Sequence, residues 1–370
     1  MLADFRLKHQ TQVVRQVRDH VRNLIVTGAL AHGAKLPSTA ALAEDWGIRA
    51  PTVQDALAEL VQAGLLERQP GRGTFVCSER PALTAMAVYE HADRIANPES
   101  NIHRVILAEL QRQLSAEGIR VQLIVDPRSG SGLAEPWAPL MELSDVHRVG
   151  ATIAASTYAE LLPWLSRLPR LAAFVDDPRI AGRVTQDFDQ MADICLDGLV
   201  DAGCHSVGLI CALPHTAHLP DGRFNPQAEF YDHFLAATQD RGLKIANDWI
   251  HLAPPTVVAG QFAQAGYDLF KSLWKKDQRP DGLVVYPDSF MPGVLMAMAE
   301  LGVRVPQDLR LAYHRNEQTP ILSPHPATEA VLSEREIAAA LIAQAKRVWK
   351  GEPCETVKVR FTRVNRKRSR

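Results

Sequence analysis

Leu36–Val76 reads LPSTAALAEDWGIRAPTVQDALAELVQAGLLERQPGRGTFV, and this stretch decides what the amino-terminal part of the chain becomes. Ser38 is a good N-cap for a helix running to about Trp46, and Gly47 supplies the backbone freedom for a tight turn. Pro51 suits the first position of the next helix, because it lacks the N–H that would go unsatisfied there. Val53, Ala56, Leu57, Leu60 and Val61 then follow at i, i+3, i+4, i+7 and i+8, which makes one buried face, and Gly64 closes the helix. Two short helices around a glycine turn read as a helix-turn-helix. Leu65–Gln69 and Thr74–Val76 read as two brief strands around Pro70-Gly71-Arg72-Gly73, a wing with an arginine at its tip. Upstream, residues 10–26 place Val13, Val17, Val21, Leu24 and Ile25 on one stripe, a third amphipathic helix that Gly28 ends. A three-helix core with a stray hairpin and no DNA contact satisfies the same pattern.

The same run carries a resemblance. Leu-Pro-Ser, the Thr-Val and Ala-Leu helix, Gly-Leu-Leu and Gly-Arg-Gly-Thr-Phe-Val fall in order, and the segment over roughly residues 8–78 resembles the winged helix-turn-helix of GntR-family transcription regulators. The resemblance implies that the second helix of the unit lies in a major groove, with Arg49, Ala50, Pro51, Thr52 and Gln54 nearest the bases. Gln54 would pair with adenine, and Arg49 would meet a guanine or a phosphate. Ser38 and Thr39, at a helix N-terminus, would face a phosphate oxygen. Arg72, between Gly71 and Gly73, would enter the minor groove. Relatives usually carry arginine where this chain has Ala40, Ala50 and Gln54, so the resemblance also implies weaker phosphate anchoring and a shifted base preference.

Composition bounds the rest. The chain has 370 residues, 46% of them hydrophobic and 22% charged, enough for two or three domains. No window approaches 18 apolar residues, and the opening MLADFRLKHQTQVVRQVRDHV is too polar for a secretory signal. Five cysteines at 77, 195, 204, 211 and 354 form no C-x-x-C pair, so reduced core thiols and a cytoplasmic setting are expected. The net charge of −1 is unevenly spread: residues 1–80 hold ten Lys/Arg against eight Asp/Glu, and seven Lys/Arg with no acid follow Glu355. A mildly basic head on an acidic body suggests that the head is the part that meets a polyanion.

Beyond Pro81 strands and helices alternate. Strands are expected at Leu83–Tyr89, Arg120–Val125, Val149–Ala155, Leu171–Val175, His205–Cys211, Ile250–Leu252, Gly282–Tyr286 and Leu309–Tyr313. Helices at 102–117, 158–168, 188–202, 227–241, 258–275 and 291–301 lie between them. Alternation of this kind means parallel sheets covered on both faces, and so many units require two lobes. Pro280–Val331, with PDGLVVYPDS, GVRVPQD and LSP, and Asp201–Ile210, with DAGCHSVGLI, make residues 83–365 similar to the effector domain of the LacI/ribose-binding-protein type. The expected fold class is thus α/β, a winged helix-turn-helix plus a two-lobed periplasmic-binding-protein-like body with two parallel sheets.

By position, the resemblance implies a cleft lined by Tyr89, Ser156, Asp187, Phe230, Asp288 and Arg315. Sugar-binding relatives usually have an arginine at the Phe230 position and an aspartate near Arg315, and such groups hold hydroxyls through charge-assisted bonds. Phe230 would stack on an apolar ring face, and Arg315 would favour an anionic or carbonyl-bearing group. A pocket that has lost its ligand is the alternative. The expected division is a head at 1–78, a linker at 79–82, lobe 1 at 83–182 plus 318–340, lobe 2 at 183–317 plus 341–365, and a basic tail at 366–370.

Other chemistries find less support. His215 and His218, with His205 and His233 nearby, fall on a Pro/Gly-containing loop, so no metal site is expected. No Walker A, G-x-S-x-G or H-E-x-x-H is present. An aminotransferase-like body would need a lysine poised for a Schiff base, whereas Lys244, Lys271, Lys275 and Lys276 read as solvated helix faces. The sequence therefore predicts a non-enzymatic, cofactor-free repressor of a catabolic operon. Its partners would be a double-stranded DNA operator, a sugar or related small-molecule effector and a second copy of itself, with no membrane.

Overall fold

The computed structural model describes residues 13–26, 28–77, 83–96, 101–128, 130–145, 149–155, 160–175, 177, 179–211, 227–254 and 260–367. Ser156, the expected linker 79–82, His215, His218 and tail residues 368–370 lie outside the described residues.

The head contains α1 (Val13–Val26), α2 (Thr39–Trp46), α3 (Ala50–Gln62), β1 (Leu66–Gln69) and β2 (Gly73–Val76). Val17, Val21, Leu42, Trp46, Val53, Ala56, Leu57 and Leu60 close into one core. Ser38 caps α2, its Oγ accepting from the Ala41 N–H at 3.1 Å. Gly47 ends α2 at φ 64°, a left-handed conformation that a side chain would disfavour. Pro51 lies in the first turn of α3, where it removes no helical bond. β1 and β2 pair antiparallel from Leu66↔Val76 to Gln69↔Gly73, and a bridge from Lys35 to Phe75 adds a third extended segment. Gly73 sits at φ 118°, a backbone conformation that a side chain would disfavour.

The body runs through β3 (Ala85–His91), α4 (Ala92–Ala96), α5 (Asn101–Ala116), β4 (Arg120–Asp126), α6 (Ala138–Asp145), β5 (Ala151–Ala154), α7 (Leu162–Leu165), β6 (Leu171–Phe174) and β7 (Gly182–Gln186). It continues through α8 (Phe188–Asp201), β8 (Val207–Cys211), α9 (Gln227–Asp240), β9 (Ile250–Leu252), α10 (Phe262–Trp274), β10 (Gly282–Tyr286), α11 (Met291–Glu300) and β11 (Arg310–Asn316). β12 (Ala327–Leu332), α12 (Glu334–Lys350), β13 (Val357–Val359) and β14 (Phe361–Arg366) complete it. Two six-stranded sheets result, in orders β13-β7-β6-β5-β3-β4 and β14-β12-β11-β10-β8-β9. The first is parallel throughout, and in the second only β14 runs antiparallel. Their central strands are buried on both faces, as the fully buried runs 85–91, 207–211 and 282–286 show.

The lobes divide the chain differently from the expected boundaries. β7 belongs to the first sheet and β12 to the second, while α12 lies along β5, β6 and β7. The chain therefore crosses between lobes at Asp187, at Ser333 and at Arg360, each beside a strand end on the side where β7, β12 and β13 finish. The expected splits at 182 and 340 cut through β7 and α12, and the split at 317 separates β11 from β12, which pair in one sheet. α4, α6, β7, β12, α12, β13 and β14 have no counterpart among the expected elements, and α7 is shorter than the expected 158–168 helix. All five cysteines are free, with Cys195, Cys204 and Cys211 buried. Among the described residues, no helix is long and apolar enough to cross a membrane.

Candidate nucleic-acid interface and ligand cleft

In the head, the apolar face of α3 is spent on the core, which leaves its other side outward. Arg49, Pro51 and Gln54 are exposed, with Ala50 and Thr52 half-buried beside them. Arg68, on β1, donates to the Gln54 carbonyl at 3.3 Å and ties the wing to this helix. Arg18 of α1 pairs with Glu59 at 2.9 Å, so one acid on the outer side of α3 is neutralised within the head.

The wing tip comes to the start of α2. Ser38, Thr39, Gly71, Arg72 and Gly73 line a single open cavity of about 710 Å³, together with Lys35. The first N–H groups of a helix point outward without intrahelical partners, so this cavity combines donors, a positive helix end and two cations. Lys35 Nζ and Arg72 Cζ lie 5.9 and 5.8 Å from the Phe75 ring centroid, which holds both cations near the cavity wall. The sequence reading missed Lys35. Its signal was the spacing from Leu36-Pro37-Ser38, which puts a cation immediately before the cap.

In the body, ligands of doubly wound sheets sit beyond the carboxyl ends of the strands. Asp288, just after β10, meets that expectation. Its Oδ2 accepts from the Asn316 amide at 2.9 Å, its Oδ1 lies 3.9 Å from His314 Nδ1, and with Asn316 it lines a cavity of about 660 Å³. Asp187 stands at the first crossover and caps α8, accepting from the Gln190 N–H at 3.3 Å.

Three expected cleft residues are placed elsewhere. Tyr89 is fully buried, donates to Asp126 at 2.8 Å and packs edge-on against Trp137 and Trp164. Phe230 is 1% exposed, stacked on Phe234 and packed against Phe188 and Tyr286, so its ring has no open face for a ligand. Arg315 is bound to Glu329 at 2.6 Å and to the carbonyls of Asn316 and Glu317. The reason is strand alternation. On β11, Leu311 and Tyr313 face the core formed with α10 and α11, and Arg315 shares their side. Ala312 and His314 face the other way, His314 against Tyr286 and Phe361.

His314 and Glu90 are therefore the groups the sequence reading passed over. His314 is buried, neither ring nitrogen has a hydrogen-bond partner among the described residues, and burial pushes its pKa down. Glu90, at the end of β3, is fully buried and accepts from the His91 N–H at 2.8 Å. Burial raises its carboxyl from 4.5 to about 7, while burial lowers the neighbouring His103, 3.6 Å away, to about 3. Among the described residues, no group of three His, Cys, Asp or Glu side chains is placed to hold a metal. His205 and His233 instead approach Asp281 and Asp193.

Comparison with known proteins fits this geometry. Residues 13–76 match the family model of bacterial regulatory proteins, gntR family, and residues 196–369 match that of a periplasmic binding protein-like domain. The chain is 27% identical over 168 residues to the HTH-type transcriptional regulator GalR of Streptococcus thermophilus, 44% of this chain and 47% of that protein. It is 31% identical over 93 residues to the mannosyl-D-glycerate transport/metabolism system repressor MngR of Escherichia coli (strain K12), 25% of this chain and 39% of the relative. The matched part thus spans less than half the length of these relatives. A LacI family transcription regulator from Clostridium acetobutylicum superposes with a TM-score of 0.59 at 19% identity, covering 77% of this chain and 100% of that one. The chain is accordingly a two-part α/β protein, in which a segment matching the gntR family of bacterial regulatory proteins precedes a two-lobed body of the periplasmic-binding-protein-like fold.

Proposed function

We propose that this protein is a ligand-responsive, sequence-specific DNA-binding transcription regulator, a repressor that works in the cytoplasm as a dimer. The observation that carries the reading is the head cavity, where Lys35, Arg72 and the start of α2 converge beside the exposed polar side of α3. Ser38, Thr39, Lys35 and the wing residues Gly71, Arg72 and Gly73 would hold phosphates, while Arg49, Ala50, Pro51, Thr52 and Gln54 would face bases. The names of the relatives, GalR and MngR, support the same class of activity.

The effector is a sugar or related hydroxyl-bearing metabolite, held at the carboxyl ends of the sheets. Asp288, Asn316 and His314 would receive it in lobe 2, with Asp187 at the crossover. Three crossovers joining the lobes make a hinge, and closure around a ligand would change how two subunits present their heads. The coupling needed is ordinary for such regulators, about 1–3 kcal/mol. Leu322 is 93% exposed on the rim of the cavity that Leu295 also lines, an apolar contact that a second copy would cover. An enzymatic body fits less well: Lys271 is ion-paired with Glu300 at 2.7 Å, which raises its pKa, the reverse of what Schiff-base chemistry needs.

The test is selection of bound duplexes from a random pool, repeated with a library of sugars and sugar acids. Enrichment of an inverted repeat with half-sites about one helical turn apart is expected, together with a metabolite that alters binding. In D288N the metabolite response should disappear while the operator is still bound. A pool with no enrichment over its input would refute the proposal.

A further inference from the structure

The second sheet has another end, away from the carboxyl-end cleft. There β11 and β12 begin and the antiparallel β14 finishes, in the register Leu311↔Ala327, Ala327↔Arg366 and Thr328↔Asn365. This register sets Arg310, Thr328, Asn365 and Arg366 side by side. With Arg363 and Asp201 they line a cavity of about 420 Å³. The last turn of α8 forms one wall, and Gly198 permits its approach: a Cβ there would lie 2.2 Å from Thr328 Oγ1. A glycine is needed at this point for the helix end to reach the strands.

The polar groups of this cavity are unevenly matched. Asp201, the one acid lining it among the described residues, is taken by Arg363 at 2.6 Å. Asn365 Oδ1 already accepts from the Thr328 hydroxyl and from Arg363 Nε, each at 3.3 Å. Glu329, behind the cavity, binds Arg315 at 2.6 Å and Tyr313 at 2.9 Å, leaving Arg366 a distant 3.4 Å contact. Arg366 Nη1 donates to the Ile321 carbonyl at 2.8 Å. The acceptors are thus spoken for, and donors remain. Arg310 lies beside the Cys204 thiol, and among the described residues no carboxylate or carbonyl is within bonding distance of its guanidinium. Further N–H groups of Arg363 and Arg366 also have no acceptor among the described residues. Three guanidiniums against one carboxylate among the lining residues leave a local surplus of two positive charges.

We propose that this cavity is a second ligand site, for a small molecule carrying a phosphate monoester, separate from the effector cleft and from the DNA-facing head. Guanidinium forks match the oxygens of a phosphoryl group two at a time, and a dianion would cancel the surplus charge. The volume exceeds what a bare ion needs and lies in the range of small-molecule pockets, which leaves room for an organic part against the apolar wall.

The full-length chain is titrated with inorganic phosphate and with glycerol 2-phosphate, using potassium chloride at matched ionic strength as the blank and calorimetry as the readout. Saturable binding of both phosphates is expected, with R310Q weaker by about tenfold or more, the scale of one charge-assisted hydrogen bond. R310K, which keeps the charge but loses the fork, should fall between R310Q and the parent. It also answers the question if R310Q does not fold. The part of the binding that R310Q removes should be retained in R72A and D288N, whatever phosphate the head itself takes up. The proposal is overturned if chloride reproduces the heat, if R310Q and R310K leave affinity unchanged, or if R72A or D288N abolishes binding and so moves the site to the head or the cleft. It is equally overturned if R310Q lowers affinity for a random-sequence duplex, because the phosphates would then be those of DNA.

Discussion

Replacing Lys35 and Arg72 together with alanine removes the two cations that line the head cavity and leaves the core of the head untouched, since both side chains are exposed. Each phosphate neutralised by a protein cation contributes about 0.9 to the slope of log K against log salt. Two lost cations should therefore flatten the slope by about 1.8 for one head and about 3.6 for a dimer. Between 50 and 200 mM salt the parent dimer should then lose about 150-fold more affinity than K35A/R72A does. Fluorescence anisotropy with a labelled operator, repeated at five salt concentrations, reads this directly. The same flattening should appear on random-sequence DNA, because phosphate contacts carry no sequence information. Parallel lines for parent and variant would refute the placement of DNA in this cavity. A loss confined to the operator, with an unchanged slope, would refute it too, by showing that these residues read bases. The lost contacts with the Phe75 ring, worth about 0.5–1 kcal/mol each at exposed sites, should lower the melting temperature only slightly.

Three further outcomes follow from the geometry. Q54A should relax base preference at one position per half-site, with discrimination falling by about 1–3 kcal/mol in binding-site selection and overall slope unchanged. Folded Glu90 keeps its proton up to about pH 7 and unfolded Glu90 only to 4.5, so its contribution is fully present below 4.5 and lost as pH rises to 7. E90Q should therefore gain about 3 kcal/mol over the parent between those limits in urea titrations followed by tryptophan fluorescence, at 1.36 kcal/mol per pH unit. His103, lowered to about 3, costs stability in both proteins as pH falls below 6.5 and cancels in the difference. L322E should shift the sedimentation of the chain toward monomer at micromolar concentration and weaken operator binding, while each head still binds a half-site.

The head was legible in the sequence because nearly every signal in it is local. The N-cap Ser38, the turn Gly47, Pro51 in the first turn and the apolar spacing from Val53 to Leu60 each act within one or two turns, and they agree with one another. The body was legible in outline for a related reason, since buried parallel strands such as Val207–Cys211 and Gly282–Tyr286 are short apolar runs between helices. Its division into lobes was not. Whether Ala327–Leu332 joins the first sheet or the second depends on pairing with Leu311–Asn316 and Phe361–Arg366, and no local pattern encodes that choice.

The cleft shows how one residue of register decides chemistry. Arg315 and His314 are neighbours in the chain, and resemblance to sugar-binding proteins drew attention to the charged one. A strand puts neighbours on opposite faces, so only one of the pair can stand with Ala312 and Asn316. Arg315 falls on the side of Tyr313, where Glu329 waits for it, and its charge is consumed inside lobe 2. His314 takes the other side, beside Tyr286, Phe361 and Asp288, with both ring nitrogens unpartnered among the described residues. Tyr89 and Glu90 repeat the case on β3: the tyrosine turns to Trp164 and the carboxylate to His103. A conspicuous charge at a strand end is therefore a weaker guide to a ligand than the parity of its position.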